Sequence, residues 1–180
     1  MTTYIAILRG INVSGHKMMK MEALRRLCEA LGFKMVQTYI QSGNIIFNFS
    51  KAKSEELEKK IAFKILEEFK FEVPVLVMEA DEVIAAIKNN PFVNKKLIDL
   101  TKLHVTFLAE EPEQAAVSKI RSEDYAPDEF MIHGKTVYLY CPGGYGNTKL
   151  SNNFFERTLK VMATTRNWKT VNALGSMTGL

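Results

Sequence analysis

Cysteine is nearly absent: Cys28 and Cys141 are the only two in 180 residues, one within a helical pattern and one at the end of a strand-like run. That excludes a disulfide framework and a cysteine-based zinc cluster, and it points to a reducing compartment. Histidine is also scarce. His16, His104 and His133 fall on different segments without ligand spacing, so no metal site is expected. Nowhere is there a stretch of about 18 apolar residues, which a membrane-crossing helix needs. The opening Met-Thr-Thr leads directly into a strand-like run, without the basic and apolar regions of an export signal. A cytoplasmic protein with no membrane partner is the expectation. Charge of one sign is not in large excess either. The 24 basic and 20 acidic residues leave +4, a mild bias toward anionic partners that falls short of a basic tail or patch. Catalytic triads and nucleophile elbows leave no local trace, and no cofactor is implied.

What the chain does have is apolar content patterned for an α+β fold. With 47% hydrophobic residues and this length, it can bury roughly two-thirds of its unfolded surface without a metal or disulfide. Tyr4 to Leu8 is a short apolar run ended by Arg9-Gly10 and reads as a buried strand followed by a long loop. Leu24, Leu27, Cys28 and Leu31 recur at helical spacing, and Gly32 supplies the stop. Val36–Ile40 and Ile45–Phe49 are β-rich runs joined by Gln41-Ser42-Gly43-Asn44, whose Gly and Asn tolerate the positive φ of a hairpin turn. Ser54-Glu55-Glu56-Leu57 opens a second helix with a capping residue and acidic first turn, and Val73–Met78 completes a βαββαβ series.

After a helix from about Asp81 to Asn90, ended by Pro91, the pattern starts again. Leu103–Leu108 reads as a strand, Glu113–Ile120 as a helix, Glu129–His133 and Thr136–Cys141 as a hairpin, and Asn153–Val161 as a helix. Leu8 matches Leu108, and Gly43 matches Gly134, which places Phe47 and Phe49 on Tyr138 and Tyr140. The expected architecture is therefore two tandem ferredoxin-like units of βαββαβ type, packed as one compact protein with a C-terminal helix. Residues 1–79 form the first unit, 80–100 a helical connector, and 101–180 the second unit with that helix. In such a unit the loop after the first strand and the hairpin turn emerge at one end of the sheet. Arg9-Gly10-Ile11-Asn12 and Gln41-Ser42-Gly43-Asn44 should thus be neighbours in space.

Three segments could bear chemistry, and each has a bland reading beside the functional one. At the end of the first unit, Arg9, Gly10, Asn12, Lys17, Gln41, Ser42, Gly43 and Asn44 could surround an anion with side-chain and backbone donors. The same residue types also simply form turns. The Gly-rich run from Cys141 to Ser151 could bring a phosphate to a helix N-terminus with Lys149. Its spacing is not that of a nucleotide-binding Walker loop, and capping by Ser151 or Asn153 explains much of it. In Thr164-Thr165-Arg166-Asn167-Trp168-Lys169-Thr170 the single Trp, flanked by Arg and Lys, could stack on a base, or Trp168 could anchor a terminal helix. The alternating aromatics of the two hairpins suggest base stacking of the kind RNA-binding modules use, but the basic-Gly-aromatic succession of that signature is missing.

The segments Leu8-Arg9-Gly10-Ile11-Asn12-Val13, Thr38-Tyr39-Ile40-Gln41-Ser42-Gly43-Asn44 and Thr165-Arg166-Asn167-Trp168-Lys169-Thr170-Val171 together resemble the bacterial family catalogued as domain of unknown function 1697. The resemblance implies two ferredoxin-like units in one chain. It singles out Arg9, Gly10, Asn12, Gln41, Ser42, Gly43, Asn44, Lys149, Asn152, Glu156, Arg166, Asn167, Trp168 and Thr170, while Ser14 stands where many relatives have Gly. The functional expectation is a binding protein or enzyme for a small anionic, phosphate- or nucleotide-like ligand. The rivals are a nucleic-acid-binding module and a structural or interaction protein whose motif residues are buried and bonded to one another.

Overall fold

The computed structural model describes residues 1–179. Its order is β1 (Thr2–Leu8), α1 (Met21–Ala30), β2 (Lys34–Tyr39), β3 (Asn44–Phe49), α2 (Ser54–Phe69), β4 (Val75–Glu79) and α3 (Ala80–Lys88), then β5 (Leu103–Leu108), α4 (Gln114–Val117), β6 (Glu129–His133), β7 (Thr136–Tyr140), α5 (Asn152–Leu159), β8 (Ala163–Asn167) and α6 (Trp168–Met177). The eight strands form two four-stranded antiparallel sheets, ordered β2-β3-β1-β4 and β6-β7-β5-β8. Together with the six helices of the described residues they make an α+β protein. The chain divides into two compact units, Met1–Ala85 with the segment from Leu174 onward, and Ala86–Ala173.

In the first unit, alternation on β1 and β3 sends Tyr4, Ala6, Leu8, Ile45 and Phe47 to the face covered by α1 and α2. Leu24, Leu27 and Cys28 of α1 and Leu57, Ile61 and Ile65 of α2 close that core. Ile5, Ile7, Ile46, Leu76 and Met78, on the other face, are buried as well. The second unit repeats the arrangement. Leu108, Val137, Leu139 and Ala163 pack with Phe155 and Leu159 of α5, and Leu103, Val105, Phe107 and Tyr138 are buried on the opposite face.

Several sequence expectations are corrected. The fourth strand starts at Val75 rather than Val73, because Pro74 has no N–H to contribute to a ladder. The helix expected over 113–120 is a single turn, Gln114–Val117. The Ser118 hydroxyl bonds back to the Gln114 carbonyl at 2.8 Å, and the chain continues in tighter turns from Lys119 to Ala116 and Ile120 to Val117. An unforeseen strand, β8, runs through Ala163–Asn167 and pairs with β5. The last helix starts at Trp168 itself, with the Asn167 side chain accepting from the Thr170 N–H at 2.8 Å.

The expected match between the two halves also shifts by one residue. The Leu8 N–H donates to the Gly43 carbonyl at 2.8 Å, and the Leu108 N–H donates to that of Lys135 at 2.9 Å. Gly43 therefore corresponds to Lys135, not to Gly134, and Phe47 to Leu139, not to Tyr138. Because strand side chains alternate, this slip moves the residues to the other face. Leu139 lies in the helix-covered core, whereas Tyr138 faces away from it and donates its hydroxyl to the Ala86 carbonyl at 3.0 Å.

Candidate functional site

The end of the first sheet where β1 finishes is a rim of three segments: residues 9–20, the turn 40–43 and the approach to β4 at 70–74. Backbone and side-chain bonds stitch them together. The Arg9 N–H donates to the Pro74 carbonyl at 3.1 Å, and the Lys17 ammonium donates to the Glu72 carbonyl at 2.6 Å. Asn12 is the central fastener. Its amide donates to the carbonyls of Met19 at 2.9 Å and Gln41 at 2.8 Å, and its oxygen accepts from the Met19 N–H at 2.7 Å. In the turn, the buried Asn44 amide donates to the Tyr39 carbonyl at 2.8 Å and the Ser42 hydroxyl at 3.1 Å. The two loops thus meet as the topology required.

Close approach explains Gly43. Its φ is +83°, and an added Cβ would lie 2.6 Å from Ile11 Cδ1 and 3.0 Å from Leu8 Cβ. Left-handed backbone is concentrated at this rim: Gly10, Asn12, Ser14, Gly15, Lys17, Ile40 and Gly43 all have positive φ. Ile40, at φ +49°, is an outlier for a β-branched residue. Ser14, at φ +49°, occupies the conformation a glycine favours. What the rim shows to solvent is Gly10, Ser14, Gly15, His16, Lys17, Lys20, Gln41, Lys70 and Glu72, with Val13, Met18 and Ile40 as exposed apolar side chains. Arg9 is half-buried at its base. Lys20 precedes α1, whose first N–H groups receive no side-chain cap.

The second unit has no such rim. Five residues, 109–113, link β5 to α4 where twelve, 9–20, link β1 to α1, and the β6–β7 turn has two residues, 134–135, where β2–β3 has four, 40–43. Its candidate residues lie elsewhere. Lys149 is exposed beside a cavity of about 280 Å³ lined also by Tyr125, Asp124, Asp128, Gly144 and Asn147. Asp128 accepts from the Thr148 hydroxyl at 2.6 Å, and the Arg121 guanidinium holds the Asp124 carboxyl below its ordinary value. Two carboxylates in the wall oppose an anion next to Lys149. Ser151 caps α5 by accepting from the Phe154 N–H at 3.2 Å.

The remaining motif residues lie within the second unit and bond there. Asn152 accepts from the Thr165 hydroxyl at 2.6 Å, which in turn meets the Thr106 hydroxyl at 2.6 Å. Glu156 accepts from the Ala163 N–H at 3.3 Å on the edge of β8. Arg166 is buried on the face shared with Val105, and its guanidinium donates to the Thr165 carbonyl at 3.1 Å. Burial pushes its pKa down to about 10, so it stays cationic at neutral pH. Thr170 is buried and Trp168 half-buried at the start of α6. The paired aromatics offer no stacking platform. Phe47 stacks on Phe33 at 4.1 Å, Phe49 packs edge-on against the same ring at 5.1 Å, and Tyr140 lies 6.4 Å from Phe92. His104 is partly buried against Tyr145 at 4.7 Å, and burial lowers its pKa. Among the described residues no group of three or more His, Cys, Asp or Glu could hold a metal ion, and no helix is long and apolar enough to cross a membrane.

Sequence reasoning overlooked the third rim segment. Its carbonyls at Glu72 and Pro74 follow from topology alone, since β4 must start where β1 ends, but a carbonyl leaves no side-chain signature. The Thr106–Thr165–Asn152 chain was equally hidden, because β8 was not seen as a strand.

Twin α+β units with one elaborated rim define a fold class rather than a chemistry, and the comparisons give it a family. The family model described as "Protein of unknown function (DUF1697)" matches residues 1–138, and the chain belongs to that family. It is similar, at 25% identity and a TM-score of 0.73 over 98% of both chains, to the solved structure of conserved bacterial protein SP0830 from Streptococcus pneumoniae. No curated protein matches.

Proposed function

We propose that the chain is a binding protein whose recognition surface is the rim of the first unit, and that its ligand is a small phosphate- or nucleotide-like anion. One observation carries the reading: the long loop and four-residue turn occur in only one of two units that share a strand order. A feature the fold can omit, yet holds rigid through Asn12, calls for a use outside folding. Arg9, His16 and Lys20 supply positive or proton-donating groups on this rim, and Lys20 leads into the uncapped start of α1, where backbone N–H groups and the helix dipole favour an anion. Asn12, Ser42, Gly43 and Asn44 then act as positioning residues, and Arg9 and Lys20 as the groups that touch the ligand.

Two finer readings accompany it. The units are copies of one ferredoxin-like module, supported by the shared order and by matched ladder bonds, Arg9 to Pro74 and Ala109 to Met162. A reducing, cytoplasmic setting suits the two free, buried cysteines. Stacking of single-stranded nucleic acid on a sheet has little support, because the central strands of both sheets are buried on both faces.

The test is native mass spectrometry of freshly purified protein, followed by calorimetric titration with pyrophosphate and with nucleoside mono- and triphosphates. Arg9→Ala and Lys20→Ala should each weaken binding by at least about tenfold, the equivalent of ~1.4 kcal/mol, with little change in melting temperature. Unchanged binding in both variants, or no binding of any anion to the natural chain, overturns the reading.

A further inference from the structure

The four edge strands of the two sheets are not treated alike. On β4 the Glu58 carboxylate accepts the Val77 N–H at 2.9 Å, and on β8 Glu156 accepts that of Ala163 at 3.3 Å. On β2 a bulge between Lys34 and Gln37, with Met35 at φ +51°, breaks the edge. These are the usual ways of blunting an edge against pairing. Strand β6 has neither device among the described residues: its five residues pair with β7 in unbroken register from Glu129–Tyr140 to His133–Thr136, and Met131 is exposed.

Its outward-facing groups can be assigned. The Lys135 carbonyl and the Cys141 N–H both bond toward β5 and its approach, to Leu108 and Lys102. By alternation, Thr136, Tyr138 and Tyr140 turn their backbone groups to β6, and they do so to His133, Met131 and Glu129. Phe130 and Ile132 are left with N–H and C=O directed away from the sheet.

We infer that β6 is the interface of a homodimer, in which two copies pair antiparallel about a two-fold axis through Met131. The strand reads Glu129-Phe130-Met131-Ile132-His133 and is complementary to itself in that register. Glu129 falls opposite His133 of the second copy, Phe130 opposite Ile132, and Met131 opposite itself. The outward backbone groups of Phe130 and Ile132 meet as two hydrogen-bonded pairs, and in the two flanking pairs a Glu129 carboxylate can accept from a His133 imidazole N–H on the exposed face. An isologous contact of this kind closes on itself and leaves no further edge open. Beside the strand lies an open cavity of about 420 Å³ bordered by Phe92, Lys95, Glu129 and Met131. Lys95 pairs with Glu129 and so shares that carboxylate with the incoming histidine.

Sedimentation velocity on the full chain across a micromolar to millimolar range tests this. The natural chain should show a concentration-dependent dimer, and Met131→Lys, which sets two ammonium groups opposite each other, should weaken it at least about tenfold. Glu129→Lys and His133→Glu should each do the same, while the double variant carrying both exchanges should regain dimerisation. Circular dichroism and melting curves confirm that each variant is folded; these three side chains are exposed, so folding should persist. A natural chain that stays monomeric throughout overturns the inference, as does a dimer that ignores Met131→Lys or a double variant that fails to recover. An edge that instead captures an extended peptide of another protein would appear as a monomer here and refute it too. None of these results bears on anion binding at the other unit's rim.

Discussion

Gly43→Ala measures how tightly the rim turn is closed onto β1. Two costs combine at this position. A residue with a Cβ at φ +83° costs roughly 1–2 kcal/mol relative to glycine. The new methyl also sits 2.6 Å from Ile11 Cδ1 and 3.0 Å from Leu8 Cβ. The first contact is with the end of a side chain that can rotate, but the second is with an atom fixed to a central strand, so overpacking adds about 1–2 kcal/mol. The total is about 2–4 kcal/mol. Gly134→Ala is the internal control, since φ is +55° and nothing lies within 4 Å of its added Cβ, leaving only the backbone cost of about 1–2 kcal/mol. Urea denaturation of the two variants, read by far-ultraviolet circular dichroism, should rank Gly43→Ala below Gly134→Ala by about 1–2 kcal/mol. Equal losses would show that the turn relaxes away from Leu8 and Ile11 at no cost, and the picture of a rim clamped to the sheet would fail.

Asn12→Ala removes three hydrogen bonds and puts alanine at φ +53°. It should cost about 2–3 kcal/mol and speed amide exchange at Met19; unchanged exchange there would contradict the fastener role. Burial pushes the Cys28 thiol from an ordinary 9.0 to about 12 and that of Cys141 to about 11. Both thiols are held neutral by the fold, so their contribution is full below pH 9 and is lost as pH rises toward 11 and 12. Denaturation midpoints should fall across that alkaline range, and a thiol reagent at pH 8 should label neither cysteine until the chain unfolds. Glu58→Ala withdraws the acceptor of the Val77 N–H and should cost about 1–2 kcal/mol, with Glu58→Gln, which keeps an acceptor oxygen, recovering most of it.

The strands rich in apolar residues were legible because burial on both faces leaves a composition signal; β1, continuous from Tyr4 to Leu8, and β5, with Leu103, Val105, Phe107 and Leu108, are of this kind. Strand β8 was not, because Ala-Thr-Thr-Arg-Asn carries two threonines and a buried arginine where such a strand usually carries aliphatic residues. Its pairing is imposed by β5, not by its own propensity. The one-residue slip between the halves has a similar origin. Matching glycine to glycine assumed equal turns, whereas one turn has four residues and the other two, and only the ladder bonds reveal it. At the rim, the meeting of residues 9–12 with 41–44 followed from strand order. The division of labour did not: Asn12, Asn44 and Arg9 are all polar loop residues in sequence, and only coordinates show that the Asn12 amide goes to the Met19 and Gln41 carbonyls and the Asn44 amide to the Tyr39 carbonyl and the Ser42 hydroxyl.

The second unit serves as a control built into the same molecule. Ala109 bonds to Met162 as Arg9 does to Pro74, and Leu108 bonds to Lys135 as Leu8 does to Gly43, so the sheet closes without a long loop. Yet the first unit retains one that holds Asn12, Ser14 and Lys17 in left-handed backbone and ends near a turn with Ile40 in the same region. At roughly 1–2 kcal/mol for each non-glycine residue, that loop opposes folding, and Asn12 returns only part of the cost through its three bonds. The loop also buries Ile11 and Met19 in the core, and strain of this kind is retained where it shapes a surface. Replacing residues 9–20 with the short 109–113 connection should therefore leave the first sheet intact by circular dichroism and amide exchange in β1 and β3, while abolishing anion binding. If the shortened chain still bound the anion as the natural one does, the recognition surface would have to lie away from this rim.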